Sequence, residues 1–175
     1  MARQTGVKVV DQMQFLETLT APDDVTMVIR GHLVMESFLN RLLALTAPAA
    51  CDELDRLRFP QKLDVLIALE AIPVDARPSW RYVNGLRNRF AHDLDAELTQ
   101  KDADDLLNCM PALMRDEIKS QRKELDRRGW DGHRTPRALV ANCIGWLSTF
   151  ASREVVERGG EPMGSPFGDS GEADD

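Results

Sequence analysis

The most informative part of the chain for its fold is residues 25–45, VTMVIRGHLVMESFLNRLLAL. Apolar residues recur at helical spacing on most sides of this segment, which is typical of a helix buried at the centre of a bundle. The segment follows Pro22, and Asp23 or Asp24 is expected to cap its first turn. The sequence therefore predicts a central, largely buried helix, whose apolar side chains on most of its sides are Val28, Ile29, Leu33, Met35, Phe38, Leu39, Leu42 and Leu43.

Helical periodicity continues on both sides of this central segment, without a convincing run of alternating β-branched residues. A stretch from residues 99–102 to residue 127 contains Pro111, which predicts either a kink or two separate helices. The fold class is therefore expected to be all-α, a bundle of five to six helices. The other helices are predicted at about residues 10–19, 60–71, 78–92 and 136–156.

The net negative charge is concentrated at one end of the chain. The 175 residues include 22 Lys and Arg against 29 Asp and Glu, for a net charge of −7. Residues 154–175 hold seven acidic residues and one arginine, so residues 1–153 are nearly neutral. From Gly159 onward the composition shifts to Gly, Pro, Ser and acids, which bury too little apolar area to offset the entropy of ordering. We expect a helical domain over 1–158 and a disordered acidic tail over 159–175.

Apolar segment lengths and cysteine usage predict a cytoplasmic protein without a membrane partner. The longest apolar stretch, residues 138–150, is interrupted by Asn142 and is shorter than a bilayer-spanning helix. The first residues lack the long apolar core and the small-residue cleavage site of a signal peptide. Cys51, Cys109 and Cys143 form no C-x-x-C pair, which indicates thiols in a reducing compartment.

Residues 77–92, RPSWRYVNGLRNRFAH, carry four arginines and no acidic residue. On a helix, Val83, Leu86 and Phe90 form a side that faces the core. A polar side of guanidinium, amide and imidazole groups suits phosphate binding, because guanidinium forks grip phosphate oxygens and histidine can transfer a proton. The alternative is a solvated helix face that ends in a histidine favourable to the helix dipole. The polar side consists of Arg77, Arg81, Asn84, Asn88 and His92, with Arg87 beside it.

The string Arg87-Asn88-Arg89-Phe90-Ala91-His92 resembles the Arg-x4-His signature of HEPN domains. These all-helical domains occur in metal-independent ribonucleases of toxin–antitoxin, CRISPR and anti-phage systems. Besides the Arg and His spacing, the shared features are Asn after the Arg, Ala before the His, and a long apolar helix earlier in the chain. The resemblance covers approximately residues 10–155. The chain is also similar to the mannitol operon repressor family, a HEPN-like group in which the Arg/His pair can be incomplete.

The resemblance implies a HEPN-like bundle and a homodimeric endoribonuclease that leaves cyclic phosphate ends. His92 would be the general acid or base, Arg87 would stabilise phosphoryl charge, and Asn88 would orient the phosphate or the histidine. This scheme needs no metal ion or other cofactor, and the sequence has no cluster at metal-ligand spacing. RNA would be the substrate, and a cognate antitoxin or a regulatory protein would be a further partner. The side chains expected to bind substrate are Arg77, Arg81, Asn84 and Arg89.

Glu36 is a further candidate on the central helix. His32 and Glu36 lie four residues apart on an otherwise apolar stripe, and a buried carboxylate needs a partner. HEPN-like domains often place a polar or acidic side chain near the motif arginine, so one hypothesis is that Glu36 supports Arg87. The alternative is that Glu36 pairs with His32 or Arg30 near the surface.

The second hypothesis is a catalytically silent module that acts through protein or nucleic-acid contacts, and the third is a helical adaptor in which the motif is coincidental. The near-neutral body and the acidic tail disfavour RNA binding, because non-specific RNA affinity depends on neutralised phosphates. A second basic region, residues 115–137, could form an RNA track in which Trp130 stacks on a base. It could also be a solvated helix of mixed charge.

Overall fold

The structure, a computed structural model, describes residues 12–161. Within this range the chain is helical and contains no β-strand, which confirms the all-α fold class. Seven helices of this range have eight residues or more, and one is a single turn. The helices are α1 (Gln12–Leu19), α2 (Asp24–Thr46), α3 (Cys51–Leu54), α4 (Phe59–Ala68), α5 (Arg77–His92), α6 (Gln100–Cys109), α7 (Ala112–Arg127) and α8 (Pro136–Glu157).

The ends of the helices follow local capping signals. The side chain of Asp23 accepts a hydrogen bond from the backbone N–H of Thr26 at 2.7 Å, so Asp23 is the N-cap of α2. Pro111 lies between α6 and α7, because proline cannot donate the backbone hydrogen bond that a continuous helix requires. The expected long fifth stretch is therefore two helices, which raises the number of longer helices above the five to six predicted.

α2 is the central helix and contacts α1, α4, α5 and α8. Most side chains expected to face inward are buried, but Leu33 is 54% exposed and Ile29 is only partly buried. With Val25, these residues follow each other at four-residue steps on a side of α2 that is largely open to solvent. The prediction for Leu33 is therefore wrong. The fully buried apolar side chains of α2 are Met27, Val28, Met35, Phe38, Leu39, Leu42 and Leu43.

α8 lies parallel to α2 and packs closely against it. Near the start of both helices, the Nε atom of Arg137 lies 2.5 Å from a carboxylate oxygen of Asp24. Seven residues further along each helix, a Cβ atom at Gly31 would lie 3.1 Å from the Cδ1 atom of Ile144. The close approach of the two helices thus depends on a residue without a side chain.

α5 runs in the opposite direction along α2. Asn84 of α5 bonds to His32 of α2, and the backbone N–H of Leu98, just beyond α5, donates to Asp24 at the start of α2 at 2.8 Å. The C-terminus of α5 therefore lies at the same end of the bundle as the N-termini of α2 and α8. We term this end the His92 end, after the last residue of α5.

The first three residues of the expected tail contact the bundle. Arg41 donates a hydrogen bond to the carbonyl oxygen of Glu161. A Cβ atom at Gly160 would lie 2.7 Å from the Val155 side chain and 2.8 Å from that of Leu45. Residues 1–11 and 162–175 lie outside the described residues, and they include most of the predicted tail and the predicted start of the first helix.

The close contact between α2 and α8 can be tested by enlarging Gly31. Gly31→Val should lower the free energy of unfolding by about 2 kcal/mol, because the added atoms would overlap Ile144 in a packed core. Gly85→Ala on α5 is the matched control, since a Cβ atom there meets nothing within 4 Å. It should raise the free energy of unfolding by about 1 kcal/mol through helix propensity. Urea unfolding measures both values, and effects of the same sign would contradict the close packing.

Candidate functional site

Helix α5 packs one side into the core and exposes the other. Val83, Leu86 and Phe90 are buried as predicted, and Trp80 is fully buried beside them. Because residues three or four apart share a side of a helix, this packing turns the predicted polar side outward. On that side Arg81, Asn88 and His92 are exposed, while Arg77, Asn84 and Arg87 are partly buried.

The N-terminal part of this polar side is ion-paired with α4. The Nη2 atom of Arg81 lies 2.8 Å from one carboxylate oxygen of Asp64, and the Nε atom of Arg77 lies 3.4 Å from the other. The expectation of a polar side without any carboxylate is therefore corrected, because α4 places Asp64 against it. Two arginines share one carboxylate, which fixes their guanidinium groups and reduces the positive charge there.

Near the C-terminus of α5, Arg89, which lies on another side of the helix, is ion-paired with α6. Both terminal nitrogens of Arg89 donate to Asp102, each at 2.8 Å, and Asp102 also accepts from the backbone N–H and the hydroxyl of Thr99. Burial by itself raises the pKa of the Asp102 carboxyl, but the hydrogen bonds from Arg89 and Thr99 outweigh it and hold this pKa far below its ordinary value. The Arg89 guanidinium thus holds α5 and α6 together, and its role in binding substrate stays a prediction.

Between these two ion-paired regions, Asn84, Arg87 and Asn88 form a group that we term the donor patch. The Oδ1 atom of Asn84 accepts from the Nε2 atom of His32 at 3.1 Å, and the Oδ1 atom of Asn88 accepts from the Nη1 atom of Arg87 at 3.2 Å. With both amide oxygens occupied, the amide nitrogens and the remaining N–H groups of Arg87 stay available as donors. Arg87 forms no ion pair with any Asp or Glu of residues 12–161. The patch therefore suits an oxyanion.

His92 is the last residue of α5, and its side chain is exposed. It makes no hydrogen bond or ion pair with the described part of the chain. It lies one turn after Asn88, and residues at this spacing have Cβ atoms about 5–6 Å apart. Asn88 thus lies between the arginine and the histidine of the motif: it accepts a hydrogen bond from Arg87, and His92 follows it by one turn of the helix.

His32 is a contact of the donor patch that the sequence analysis did not assign. Its side chain is buried, with 3% of its surface exposed, and its ring lies 4.4 Å from the ring of Phe59 between centroids. The Nδ1 atom is buried without a hydrogen-bond partner. The available signal was a histidine on an apolar stripe of α2, but its partner Asn84 is 52 positions away in the sequence.

Glu36 forms an ion pair with none of the three partners considered from the sequence, Arg87, His32 and Arg30. Its carboxylate lies 3.6 Å from the Nζ atom of Lys62, whose side chain is 5% exposed. A buried ammonium group requires a nearby negative charge, and α4 places Lys62 where Glu36, together with Asp55 at 3.9 Å, supplies it. The prediction that Glu36 supports Arg87 directly is therefore corrected: Glu36 acts as the counter-ion of a lysine from another helix.

Three arginines of the second basic region, Arg127, Arg128 and Arg134, are ion-paired within it. Arg127 and Arg128 both contact Glu124, at 2.7 and 3.0 Å. Trp130 is 55% exposed, and its ring stacks on that of the buried His133 with 5.8 Å between centroids. These contacts favour the interpretation of a solvated helix with mixed charges over that of an RNA track.

Clusters of metal-binding side chains and membrane-spanning helices are both missing from the described part of the chain. Residues 12–161 contain no group of three or more His, Cys, Asp and Glu side chains placed to hold a metal ion. In that range, no helix has the length and apolar character required to cross a bilayer.

Comparison of the chain with protein-family models, curated proteins and solved structures finds no match. The resemblance to HEPN domains therefore depends on residues 87–92 and stays a prediction. What the chain does must be inferred from the donor patch and from His92.

The ion pair between α5 and α6 predicts that substitutions of two aspartates of α6 have clearly different effects on the free energy of unfolding. Asp102→Asn should lower the free energy of unfolding by about 2 kcal/mol, because the hydrogen bonds from Arg89 and Thr99 lose their charged acceptor. Asp104→Asn is the control, because Asp104 is exposed and accepts from Gln100 on the surface. Thermal and urea unfolding should show little change for it. Equal losses in both variants would contradict a structural role for Arg89.

The burial of His32 predicts that the stability of the protein depends on pH. Burial lowers the pKa of His32, and so does the charge of Arg87, although Asn84 and Glu36 act in the opposite direction. The unfolded chain therefore binds a proton at this position more readily than the folded chain does. The free energy of unfolding should fall as the pH drops below about 6.5, the ordinary histidine value.

In His32→Phe this part of the pH dependence should disappear. Urea unfolding of both proteins at pH values of about 7.5, 6.5 and 5.5, which bracket the ordinary histidine pKa, measures the difference. His92 and His133 are present in both proteins. Parallel declines in the two would show that His32 is not held neutral by burial.

Proposed function

We propose that the chain is a metal-independent endoribonuclease of HEPN type, acting as a toxin or a defence component. One observation supports it above the others. Of the four arginines of α5, three are ion-paired with Asp64 or Asp102, and the fourth is Arg87 of the motif. Arg87 and His92 are thus left for an external anion.

The proposed reaction uses the donor patch to bind the phosphate that is cleaved. The 2′-hydroxyl oxygen of the RNA forms a bond to the adjacent phosphorus, and the bond from phosphorus to the 5′ oxygen of the next nucleotide breaks. The products are a 2′,3′-cyclic phosphate and a 5′-hydroxyl end. Arg87 and the amide nitrogens of Asn84 and Asn88 would stabilise the charge on the phosphoryl oxygens.

Proton transfer in this reaction requires two groups. One must accept the proton of the attacking 2′-hydroxyl and another must protonate the 5′ oxygen that leaves. Beside the donor patch, α5 offers one imidazole, that of His92. A second protomer related by a two-fold axis would bring its own His92, so each protomer would supply half of the cleft.

The exposed surface offers apolar area for such a homodimer. Val25 and Leu33 on α2 are 41% and 54% exposed, and Leu94, two residues after His92, is 99% exposed. Apolar side chains around a polar centre suit contact with a second copy. A cognate antitoxin or regulatory protein would be a further partner in a conflict setting.

A catalytically silent module of the HEPN or mannitol repressor type is the second candidate, because acidic residues follow His92 closely. Asp93, Asp95 and Glu97 are all exposed in the segment after α5. Like charges of this density oppose the approach of RNA to the His92 end. In this alternative, the donor patch would bind an acidic group of a protein partner.

RNA cleavage by the purified full chain in excess EDTA separates the two candidates. The ribonuclease hypothesis predicts cutting with cyclic phosphate ends, and a rate loss of about 10²- to 10⁴-fold in His92→Ala, which removes the proton-transfer group. Arg87→Ala should lose a comparable factor. Arg81→Ala is the matched control, since Arg81 lies on the same side of α5 but pairs with Asp64, and its rate should change little.

The outcomes are distinct. Absence of cutting by the folded wild-type chain favours the silent module. Cutting that survives in His92→Ala, or that EDTA abolishes, contradicts the proposed mechanism. Sedimentation of the active species tests the second protomer, because an active monomer would be incompatible with a cleft shared between two copies.

A further inference from the structure

We infer that His32 is a positioning residue: by donating a hydrogen bond to Asn84 from the buried side of the helix, it holds the amide nitrogen of Asn84 outward as a donor to a phosphate oxygen. The inference rests on the proposed function in one respect only, namely that the bound phosphate belongs to an RNA. The hydrogen bond joins the Nε2 atom of His32 on α2 to the Oδ1 atom of Asn84 on α5, at 3.1 Å.

The surroundings of His32 fix the direction of this hydrogen bond. An amide oxygen can only accept, so the Nε2 atom must carry the hydrogen, and in the neutral ring the Nδ1 atom is then unprotonated. That Nδ1 atom is buried without a partner, so a second proton would have no acceptor. The ring of Phe59 packs against the imidazole from α4, and the charge of Arg87 also opposes protonation.

A histidine at this position is difficult to explain by packing alone. An apolar ring of similar shape would contact Phe59 equally well and would not bury an unpaired nitrogen, which costs stability. What the imidazole adds over such a ring is the single hydrogen bond to Asn84. The structure therefore retains a destabilising atom in order to orient an amide of the donor patch.

The orientation of the Asn84 amide decides whether the donor patch presents a hydrogen-bond donor or an acceptor at this position. Because its oxygen is bound to the buried His32, the nitrogen, on the other branch of the planar amide, is the atom turned away from His32. Reversing the amide would place an oxygen there and repel a phosphate oxygen. Asn88 is oriented in the same way, because Arg87 occupies its Oδ1 atom at 3.2 Å. Each amide of the patch thus has its oxygen bound within the protein.

The test compares three full-length variants by their affinity for inorganic phosphate. Side-chain amide resonances of Asn84 and Asn88 in nitrogen-15-labelled protein report both binding and amide orientation. His32→Phe keeps the ring contact and removes the donor, so phosphate affinity should fall about tenfold, the factor that corresponds to one modest hydrogen bond. His32→Gln places an amide donor near the former Nε2 position and should retain most of the affinity. Leu113→Ala, at an exposed apolar residue of α7, should leave it unchanged.

The free energy of unfolding distinguishes a positioning role of His32 from a merely structural one. A structural role predicts that His32→Phe unfolds more easily, whereas positioning predicts weaker phosphate binding at equal or greater stability near neutral pH. Should His32→Phe fail to fold, the smaller His32→Leu, which also removes the donor, decides, made alone and together with Asn84→Ala. Positioning predicts that the loss of phosphate affinity caused by His32→Leu disappears once Asn84→Ala is present, because the amide through which His32 acts is then gone. A loss of the same size with and without Asn84→Ala would overturn the inference.

The inference and the proposed function can fail separately. If the wild-type chain cuts RNA and His32→Phe cuts it at the same rate with unchanged phosphate affinity, His32 does not position the patch and the ribonuclease remains. If the wild-type chain does not cut RNA but its phosphate affinity depends on His32, the positioning stands and the ribonuclease fails. Wild-type protein whose Asn84 resonances do not respond to phosphate overturns the inference.

Discussion

The burial of α2 against α8 and α5 is the constraint on which the other features depend. Its apolar side chains must leave water, and Gly31 allows α8 to approach closely enough to cover them. α5 then lies antiparallel on another side of α2, which sets Asn84 opposite His32. A rotation of α5 by one residue position would turn that amide by about 100° and expose Val83 instead. The donor patch is thus a consequence of core packing.

The distribution of charge around α5 depends on its neighbouring helices rather than on its own composition. Four arginines on one helix repel each other, and aspartates from α4 and α6 relieve this repulsion at the two ends. The middle of the helix receives no such carboxylate from the described residues. It has instead two amides whose oxygens are bound within the protein, beside Arg87. This arrangement concentrates unpaired donors over about one turn and anchors the helix on both sides of them.

The sequence predicted those features that depend on local periodicity. The all-helical class, the central position of α2 and the inward side of α5 all follow from the spacing of apolar residues, and Pro111 marks an interruption because its chemistry is local. The exposure of Leu33 was missed, since periodicity shows which residues share a side but not which sides find a neighbour.

The charged partners could not be predicted in the same way. Asp64 and Lys62 reach their partners only through the docking of α4, and Asp102 reaches Arg89 only through that of α6. Counting the arginines of residues 77–92 therefore overstates the positive charge that α5 leaves unpaired. The roles of Arg87 and His92 stay predictions, because their chemistry concerns a molecule that binds to the protein rather than the fold.

The pairing of α2 with α8 also constrains the order in which the chain can fold. Asp24 and Arg137 are 113 positions apart, so the contact closes a long loop, and folds rich in such contacts form more slowly than those built from neighbours in sequence. During synthesis α2 leaves the ribosome well before α8 exists. Until the last helix emerges, the side of α2 that α8 covers stays exposed, and the nascent chain is most vulnerable to aggregation during that interval.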